Sequence, residues 1–441
     1  MIRPILRLGL ALALAFGGVA LMAGYWAVVR QADLLERADN PRRLLLERRF
    51  PRGTIYDRAG AVLAESRGAP GDYTRYYPYP ALAPVLGYVS PQYGTAGVEA
   101  AADEALHGDE NGEAWTRWWR DALGLPRTGR AVQLTLDLNL QQLADAALGD
   151  RAGAVVLLEA ETGEILALAT HPTFDPNTLD ENWESLVADA GAPLLNRATF
   201  ALYQPGGALQ PALLGAALQA RLADLDTVYE VEGALALEAG LTLACRQAPN
   251  LSALTLQEAL RLGCPGPFAE LGQRLGALRL EQLFTDLRLL EAPDIGLPTA
   301  AAAPDFSDPA ALAAGQGSLT ITPLHLALVT AALTQRGELP APILLRAVAG
   351  PAGEWQPVPA TDHGVAVFAP ETAETIKQLL RLGHSAEALS GRAGRRLAWF
   401  TGFAPLDDTR FVVTVMLEDG DSAAVRQIGQ ALLVEAVLTA P

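Results

Sequence analysis

An uncharged segment near the start of the sequence, Leu8 to Val29, restricts the fold more than any other feature. A helix needs roughly 20 apolar residues to cross a hydrocarbon core, and this segment is long enough. Tyr25 and Trp26 lie near its end, where interfacial aromatic residues are common. We therefore predict an uncleaved membrane anchor at residues 8–29, after a cytoplasmic tail at residues 1–7. A cleaved signal peptide is the alternative, but its apolar run usually spans only ~7 to 15 residues.

The charges beside this segment and the two cysteines of the chain favour opposite locations for the body of the protein. Six arginines follow it between Arg30 and Arg49, whereas only Arg3 and Arg7 precede it, so charge counting alone would keep the body in the cytoplasm. Long domains are nevertheless translocated largely regardless of flanking charge. An even number of cysteines in an exported protein favours a disulfide, here between Cys245 and Cys264, worth ~3 kcal/mol in the chain-entropy model. Two buried thiols are the alternative.

The composition excludes several classes of function. The formal net charge of -17 argues against a nucleic-acid partner, because phosphate neutralisation needs clustered Lys and Arg. Five scattered histidines and the absence of a C-x-x-C pair predict no metal site, and no cofactor is expected. Lys377 is the single lysine of the chain and lies in a segment with the pattern of an amphipathic helix. Any mechanism that needs two lysines in one site is therefore excluded.

Beyond the anchor the sequence divides into two regions. Residues 30–130 are rich in Arg, Gly and aromatic residues, with short strand-like pieces separated by turns. Residues 131–441 are more regular: a strand at 131–136, a helix with Asp137 or Asn139 near its cap, and a hairpin about the turn 161–164. The late segments "LAWFTGFAP", "DDTRFVVTVMLED" and "AAVRQIGQALLVEAVL" predict strand, strand and helix. We predict an α/β fold of the α+β type, with one antiparallel sheet flanked by helices.

Several segments, in order, resemble the landmarks of class B penicillin-binding proteins. They include "RGTIYDRAGAVLAES", "VQLTLDLNLQQLADAAL", "GAVVLLEAETGEILALATHPTFDPN", "PLLNRATFALYQPGG", "GQGSLTITPLHLALVTAALTQRG" and "WFTGFAP". The resemblance implies a non-catalytic pedestal, or dimerisation-like domain, at residues 30–130 and a penicillin-binding D,D-transpeptidase fold at residues 131–441. It also implies a single-pass protein of the bacterial plasma membrane with an extracytoplasmic body. The implied partner is a polytopic glycan-strand polymerase of the shape, elongation, division and sporulation type.

The family's chemistry depends on three motifs, and the first is altered here. Members carry Ser-x-x-Lys at a helix start, Ser-x-Asn on a facing loop and Lys-Thr-Gly on a strand of the cleft. The serine hydroxyl attacks the D-Ala-D-Ala carbonyl, and the lysine one helical turn later is the adjacent base. In this sequence Tyr203, Pro205 and Gly206 match the residues ahead of the motif, but Gly207 stands at the serine position and Gln210 at the lysine position. Both the nucleophile and the proton acceptor are missing.

The second and third motifs are altered as well. Gly263-Cys264-Pro265 stands where the family has Ser-x-Asn, and Arg392-Ala393-Gly394 is the predicted replacement of Lys-Thr-Gly. Arg392 could hold a carboxylate in a bidentate contact, but a guanidinium cannot shuttle a proton. Four residues are candidates to replace the lost chemistry: Cys264, Thr199, Tyr203 and His384. Cys264 is either a disulfide partner, a buried thiol or a displaced nucleophile, and His384 is predicted to be a solvated loop residue.

Landmarks outside the motifs have structural interpretations. A turn and ion pairs are expected at Arg52, Gly53, Asp57 and Arg58, and Asn196 and Arg197 are expected to orient the turn ahead of Gly207. The tryptophans between Trp115 and Trp119 predict either a surface patch or a small buried helix.

Three functions follow from the sequence. The leading one is a pseudo-transpeptidase that acts as scaffold or activator of a glycan-strand polymerase. The second is a non-covalent module for a peptidoglycan stem peptide, and the third is an active transpeptidase with unconventional residues.

Overall fold

The computed structural model describes residues 2–28, 50–108, 129–230, 234–237, 242–350, 353–359, 364–389 and 395–440. The helices are α1 Ile2–Val28, α2 Ala83–Leu86, α3 Gly97–Ala101, α4 Asp103–His107, α5 Leu138–Leu148, α6 Leu179–Ala188, α7 Gln210–Gln219, α8 Leu256–Leu262, α9 Pro265–Asp286, α10 Pro309–Ala313, α11 Pro323–Thr334, α12 Pro370–Leu379 and α13 Ser422–Thr439. The strands are β1 Ile55–Tyr56, β2 Val62–Ala69, β3 Asp72–Tyr76, β4 Val89–Ser90, β5 Gly94–Thr95, β6 Val132–Leu134, β7 Gly153–Glu159, β8 Ile165–His171, β9 Val228–Glu230, β10 Ala234–Ala236, β11 Thr242–Ala244, β12 Ala253–Thr255, β13 Glu338–Leu339, β14 Leu345–Ala349, β15 Trp355–Pro357, β16 Val365–Ala366, β17 His384–Leu389, β18 Arg396–Ala404 and β19 Phe411–Glu418.

The central sheet has the strand order β17-β18-β19-β7-β8, and all its pairings are antiparallel. Helix α11 packs on one face of this sheet, and helices α5 and α13 pack on the other. Neighbouring residues of β18 show why both faces are covered, because successive side chains of a strand point to opposite faces. Trp399 packs in the cluster that contains Phe268, whereas Phe400 packs in the cluster beneath Leu432 of α13. The predicted antiparallel sheet flanked by helices is confirmed.

Local signals in the sequence place several elements. Asp137, rather than Asn139, caps α5, and its carboxylate accepts hydrogen bonds from the amides of Asn139 and Leu140 at 2.9 and 3.2 Å. The hairpin about residues 161–164 forms between β7 and β8, with Gly163 in the left-handed region at φ 76°. These local predictions are confirmed.

A second sheet combines strands from the two predicted regions, in the order β15-β14-β6-β1-β2-β3. Strand β6 begins one residue after position 131, the predicted start of the second domain, and pairs with β1 in parallel and with β14 in antiparallel orientation. The sheet therefore ties the chain that follows the anchor to a segment more than 200 residues later. The described part of the predicted pedestal is residues 50–108 and 129–130, and its strands β1, β2 and β3 belong to this shared sheet.

Polar contacts also fix the pedestal to the larger domain. Asp57 accepts from the amides of Ala59 and Ala61 at 2.8 and 2.7 Å, and from that of Leu138 at 3.2 Å. Arg58 pairs with Glu164 in the β7–β8 turn at 3.2 Å. The expected turn and ion pairs of this landmark are present, and they join the two parts of the body.

Helix α1 contains a stretch from Arg7 to Trp26 that is long and apolar enough to cross a membrane, with mean hydropathy 1.9. None of this stretch is buried against the rest of the protein. The stretch is consistent with a single-pass membrane anchor.

Candidate functional site

The stretch that leads to the first motif is held by contacts on both sides. Tyr203 forms an antiparallel bridge with Ile321, and its hydroxyl donates to the Glu418 carboxylate at 2.8 Å. The indole of Trp399 donates to the carbonyl oxygen of Gln204 at 3.1 Å. Burial and the Glu418 carboxylate both raise the pKa of Tyr203, so its hydroxyl stays protonated and is a hydrogen-bond donor.

The two adjacent glycines at the start of the helical turn Gly206–Leu209 differ in backbone conformation and in the space around them. Gly206 has φ 51°, and a Cβ atom there would lie 2.1 Å from the Glu387 carbonyl oxygen. Gly207 lies outside the left-handed region, and its nearest neighbours would be the Gln210 side chain at 3.3 Å and the Ala386 Cβ at 3.4 Å. The backbone therefore requires glycine at position 206 but not at position 207.

Gln210 begins helix α7 three residues after Gly207, and its side chain points back to the turn. Its residue is 1% exposed, and its Nε2 atom donates to the Cys264 carbonyl oxygen at 3.5 Å. Its Oε1 atom is buried without a hydrogen-bond partner within the described part of the chain. Residue 210 thus lies at the predicted lysine position of the first motif and next to Cys264 of the second motif, but its side chain is a neutral amide.

The second motif forms the corner between α8 and α9. Gly263 has φ 65°, Cys264 is the N-cap of α9, and Pro265 is its first residue. Cys264 is fully buried and is joined to Cys245 by a disulfide, so it offers no free thiol for nucleophilic attack. The amide of Arg246, the residue after Cys245, donates a hydrogen bond of 3.2 Å to the Gly263 carbonyl oxygen and also holds the chain at Cys245 against this corner.

The strand against the Gly207 turn is β17, which begins His384-Ser385-Ala386. Arg392, Ala393 and Gly394 lie outside the described residues, so their predicted role stays a prediction. His384 donates from Nε2 to the Gly207 carbonyl oxygen at 2.9 Å, and Ala386 faces Gly207. The start of β17 is therefore the described segment that lies directly against the Gly207 turn.

The prediction of His384 as a solvated loop residue is wrong, because the residue is on a strand and 7% exposed. Burial lowers the pKa of His384 to about 4, and the nearby Arg246 and Arg426 guanidiniums oppose its protonation further. The imidazole is therefore neutral at physiological pH. With such a low pKa it is a weak general base.

Two arginines lie near this strand. Arg426 of α13 donates to the Ser385 hydroxyl at 3.2 Å, and Arg246 donates to the Arg261 carbonyl oxygen at 2.9 Å. Burial and repulsion by Arg426 lower the pKa of Arg246, whereas Glu387 opposes that shift. Strand β17 is thus bordered by two positive charges, Arg246 and Arg426, with the Glu387 carboxylate nearby.

The other residues that the sequence singles out near the turn make structural contacts. Thr199 is fully buried and donates to the Pro298 carbonyl oxygen at 3.0 Å. Asn196 donates to the Pro84 carbonyl oxygen at 3.0 Å, and Arg197 pairs with Glu418 at 2.8 Å. The Glu418 carboxylate also accepts the hydrogen bond of the Tyr203 hydroxyl. Through Glu418, Arg197 therefore positions the segment ahead of the turn, as expected.

The sequence prediction missed Ser385 and Arg246 at the site, and it placed His384 on a solvated loop. The signal available was the apolar alternation of "GHSAEAL", which starts a strand directly after a glycine. Arg246 carried no signal of its own, because only the disulfide and the corner at Gly263 bring it close to β17.

The comparisons with known proteins agree with this architecture. A family profile described as penicillin binding protein transpeptidase domain matches residues 153–435, and one described as penicillin binding protein A dimerisation domain matches residues 52–132. The peptidoglycan D,D-transpeptidase PbpA of Mycolicibacterium smegmatis is 31% identical over 434 residues, covering 87% of each chain. PbpA of Mycobacterium tuberculosis is 27% identical and covers 92% of this chain and 93% of its own.

Solved structures give the same result. The D,D-transpeptidase domain of a peptidoglycan glycosyltransferase from Eggerthella lenta superposes with a TM-score of 0.78 at 29% identity, covering 88% of this chain and 99% of its own. A penicillin G acyl-enzyme complex of penicillin-binding protein A from M. tuberculosis has a TM-score of 0.79 at 27% identity, with 88% and 100% covered. The chain belongs to the class B penicillin-binding proteins, a family of peptidoglycan synthesis.

Proposed function

We propose that this protein is a catalytically inactive pseudo-transpeptidase that acts as scaffold or activator of a glycan-strand polymerase in the bacterial plasma membrane. The observation that carries the proposal is the pair Gly207 and Gln210. They occupy the positions of the nucleophile and its base on a turn whose backbone and supporting contacts are otherwise complete.

Among the described residues, no group near the turn supports a replacement chemistry. Acyl transfer needs an activated nucleophile, and the Cys264 sulfur is bonded to Cys245. The imidazole of His384 already donates to Gly207, and its pKa of about 4 makes it a weak base at neutral pH. When the catalytic residues of an acyl-transfer site are removed, binding and oxyanion contacts retain only about 10³ to 10⁴ of rate over water.

The membrane anchor and the pedestal, both of which the fold retains, support a scaffold role. The apolar helix α1 supplies a membrane anchor, and the pedestal is joined to the larger domain by Asp57, by Arg58 and by the shared sheet. A polymerase in the same membrane would therefore have both the anchor and the pedestal as contact surfaces. The body would lie on the extracytoplasmic side, where a disulfide is stable.

The scaffold proposal is tested on the full chain purified from native membranes with its associated proteins. Glycan polymerisation from a lipid-linked precursor is measured with the co-purified material, and again after this chain is removed by an affinity tag. We expect polymer formation to depend on the chain, and to be lost when α1 is replaced by an unrelated membrane span. Equal polymerisation with and without the chain contradicts the proposal.

Non-covalent binding of a stem peptide is the second candidate, favoured by the two arginines near β17. Repulsion between Arg246 and Arg426 would be relieved by a carboxylate placed between them. Binding of a soluble muropeptide to the full chain is measured by calorimetry. Saturable binding that weakens about tenfold in Arg426→Ala but not in the exposed control Arg279→Ala supports this candidate, and absence of binding eliminates it.

A further inference from the structure

A cavity of about 410 Å³ lies between the pedestal and the larger domain, away from the turn at Gly207. The pedestal contributes residues of β2, β3 and the β4–β5 region, and the larger domain contributes the segment 176–181. Ligand cavities commonly have volumes of ≈ 300 to 1,000 Å³ and occur preferentially at domain interfaces. Both the size and the location therefore fit a small-molecule site.

The inner wall of the cavity is polar but close to neutral in charge. Arg52 and Arg75 line it, and both pair with the fully buried Glu99, at 3.0 and 2.5 Å. Asp103 adds a second carboxylate on Arg52 at 2.8 Å. Two guanidiniums thus meet two carboxylates, and the wall offers hydrogen-bond donors without a net positive charge.

One donor on this wall is unused. The Arg75 side chain is 4% exposed, its Nη1 atom donates to the Gly53 carbonyl oxygen at 2.9 Å, and its Nη2 atom is buried without a hydrogen-bond partner among the described residues. A buried N–H group without a partner costs about 1 to 3 kcal/mol. Because Nη2 has almost no accessible surface in the free protein, a ligand oxygen would remove that cost through a small shift of the Arg75 side chain.

The rim of the cavity is acidic. Asp180 and Glu181, both exposed, lie on its outer side, where they disfavour an anionic ligand. Asn177 bridges the two parts of the body beneath them, with hydrogen bonds of 2.9 and 3.0 Å to the backbone of Tyr77. The rim therefore supplies acceptors, while the inner wall supplies donors.

Aromatic and proline side chains complete the cavity. Tyr73 and Tyr77 lie on the pedestal side, and Pro91 and Pro176 contribute apolar surface. A ligand for such a site must be neutral, carry several hydroxyl or amide groups, and have flat apolar faces. A pyranose ring has these properties, since its hydroxyls both donate and accept and its C–H faces pack on tyrosine and proline.

We propose that the junction cavity is a binding site for a neutral saccharide of one or two pyranose rings. This inference goes beyond the proposed function, because it concerns a different part of the molecule and holds whether or not the Gly207 site is silent. Since the protein belongs to a family of peptidoglycan synthesis, an N-acetylated amino-sugar glycan is the saccharide that we expect.

The test is calorimetric titration of the full chain in lipid nanodiscs, which avoid sugar-headed detergents. The probes are chitotetraose, maltotetraose and inorganic sulfate. The variant Thr74→Trp fills the cavity from an exposed edge position, whose hydroxyl makes only a 3.4 Å contact with the Arg67 carbonyl oxygen. The matched control is Thr74→Val, which removes the hydroxyl and leaves the volume nearly unchanged.

We expect saturable binding of chitotetraose that weakens at least tenfold in Thr74→Trp and less than threefold in Thr74→Val. Absence of chitotetraose binding, or binding that is unaffected by Thr74→Trp, overturns the proposal. Preferential binding of sulfate, strengthened by Glu181→Gln, overturns it in favour of an anion site. None of these results depends on β-lactam reactivity, so failure here is distinguishable from failure of the pseudo-transpeptidase proposal.

Discussion

The adjacent glycines at 206 and 207 give a paired prediction about why the nucleophile is absent. In Gly206→Ala the new Cβ atom lies 2.1 Å from the Glu387 carbonyl oxygen and 2.8 Å from the Ala388 Cα and Cβ atoms, at φ 51°. The left-handed conformation costs an L-residue roughly 1 to 2 kcal/mol, and overpacking costs typically 1 to 3 kcal/mol. We therefore expect a loss of about 2 to 5 kcal/mol in the free energy of unfolding.

Gly207→Ala is the matched control. Its Cβ atom lies 3.3 Å from the end of the flexible Gln210 side chain, and the backbone is not left-handed. Removing a glycine also lowers the entropy of the unfolded chain by ≈ 0.4 to 1 kcal/mol where the conformation is compatible. The net change should stay within about 1 kcal/mol.

Urea unfolding followed by tryptophan fluorescence measures both variants, since Trp399 is fully buried and bonded to the residue two positions before Gly206. For a domain of this size, 2 to 5 kcal/mol corresponds to roughly 3 to 8 °C in melting temperature, which is an independent readout. Equal destabilisation by the two substitutions would refute the reasoning. It would mean that glycine at the nucleophile position is a structural requirement of the turn.

Three further predictions follow from the site. Replacing both Cys245 and Cys264 by alanine should lower the free energy of unfolding by ~3 kcal/mol, seen as a melting temperature that no longer responds to reductant. Tyr203→Phe should cost about 1.5 to 3 kcal/mol, because the hydrogen bond to the charged Glu418 carboxylate is lost, whereas the control Tyr76→Phe, at a partly exposed position, should cost less than 1 kcal/mol. The folded pKa of His384, about 4, is below the ordinary value of 6.5, so the stability that its neutral imidazole contributes is fully present above pH 6.5 and is lost as the pH falls towards 4. His384→Gln should therefore flatten the dependence of the free energy of unfolding on pH in this range. A folded-state imidazole that titrates near 6.5 by NMR contradicts the account.

The sequence predicts the elements that carry strong local signals. Asp137 ahead of an apolar helical pattern, the turn at 161–164 and the apolar strand at 411–418 all form as expected, because capping residues, turn residues and short apolar runs are signals that act over a few residues. The replacement of the first motif is equally readable, since Gly207 and Gln210 are fixed by the matching residues before them.

What the sequence does not reveal depends on contacts between distant segments. The pairing of β6 with both β1 and β14 joins strands whose partners no local pattern specifies. The burial of His384 follows from the turn at Gly207 and from Arg246 and Arg426, which come from three separate parts of the chain. Short polar segments such as "GHSAE" have the composition of a loop until the neighbouring strand and turn are known.

The most direct test of the central claim, a chemically silent acyl-transfer site, is the intact mass of the full chain after incubation with excess benzylpenicillin. Penicillin-binding protein A from M. tuberculosis, for which a penicillin G acyl-enzyme structure is known, is the positive control. We predict no added mass on this chain under conditions that acylate the control completely. A stoichiometric adduct on this chain would contradict the account, and peptide mapping would then identify the residue that replaces the missing serine.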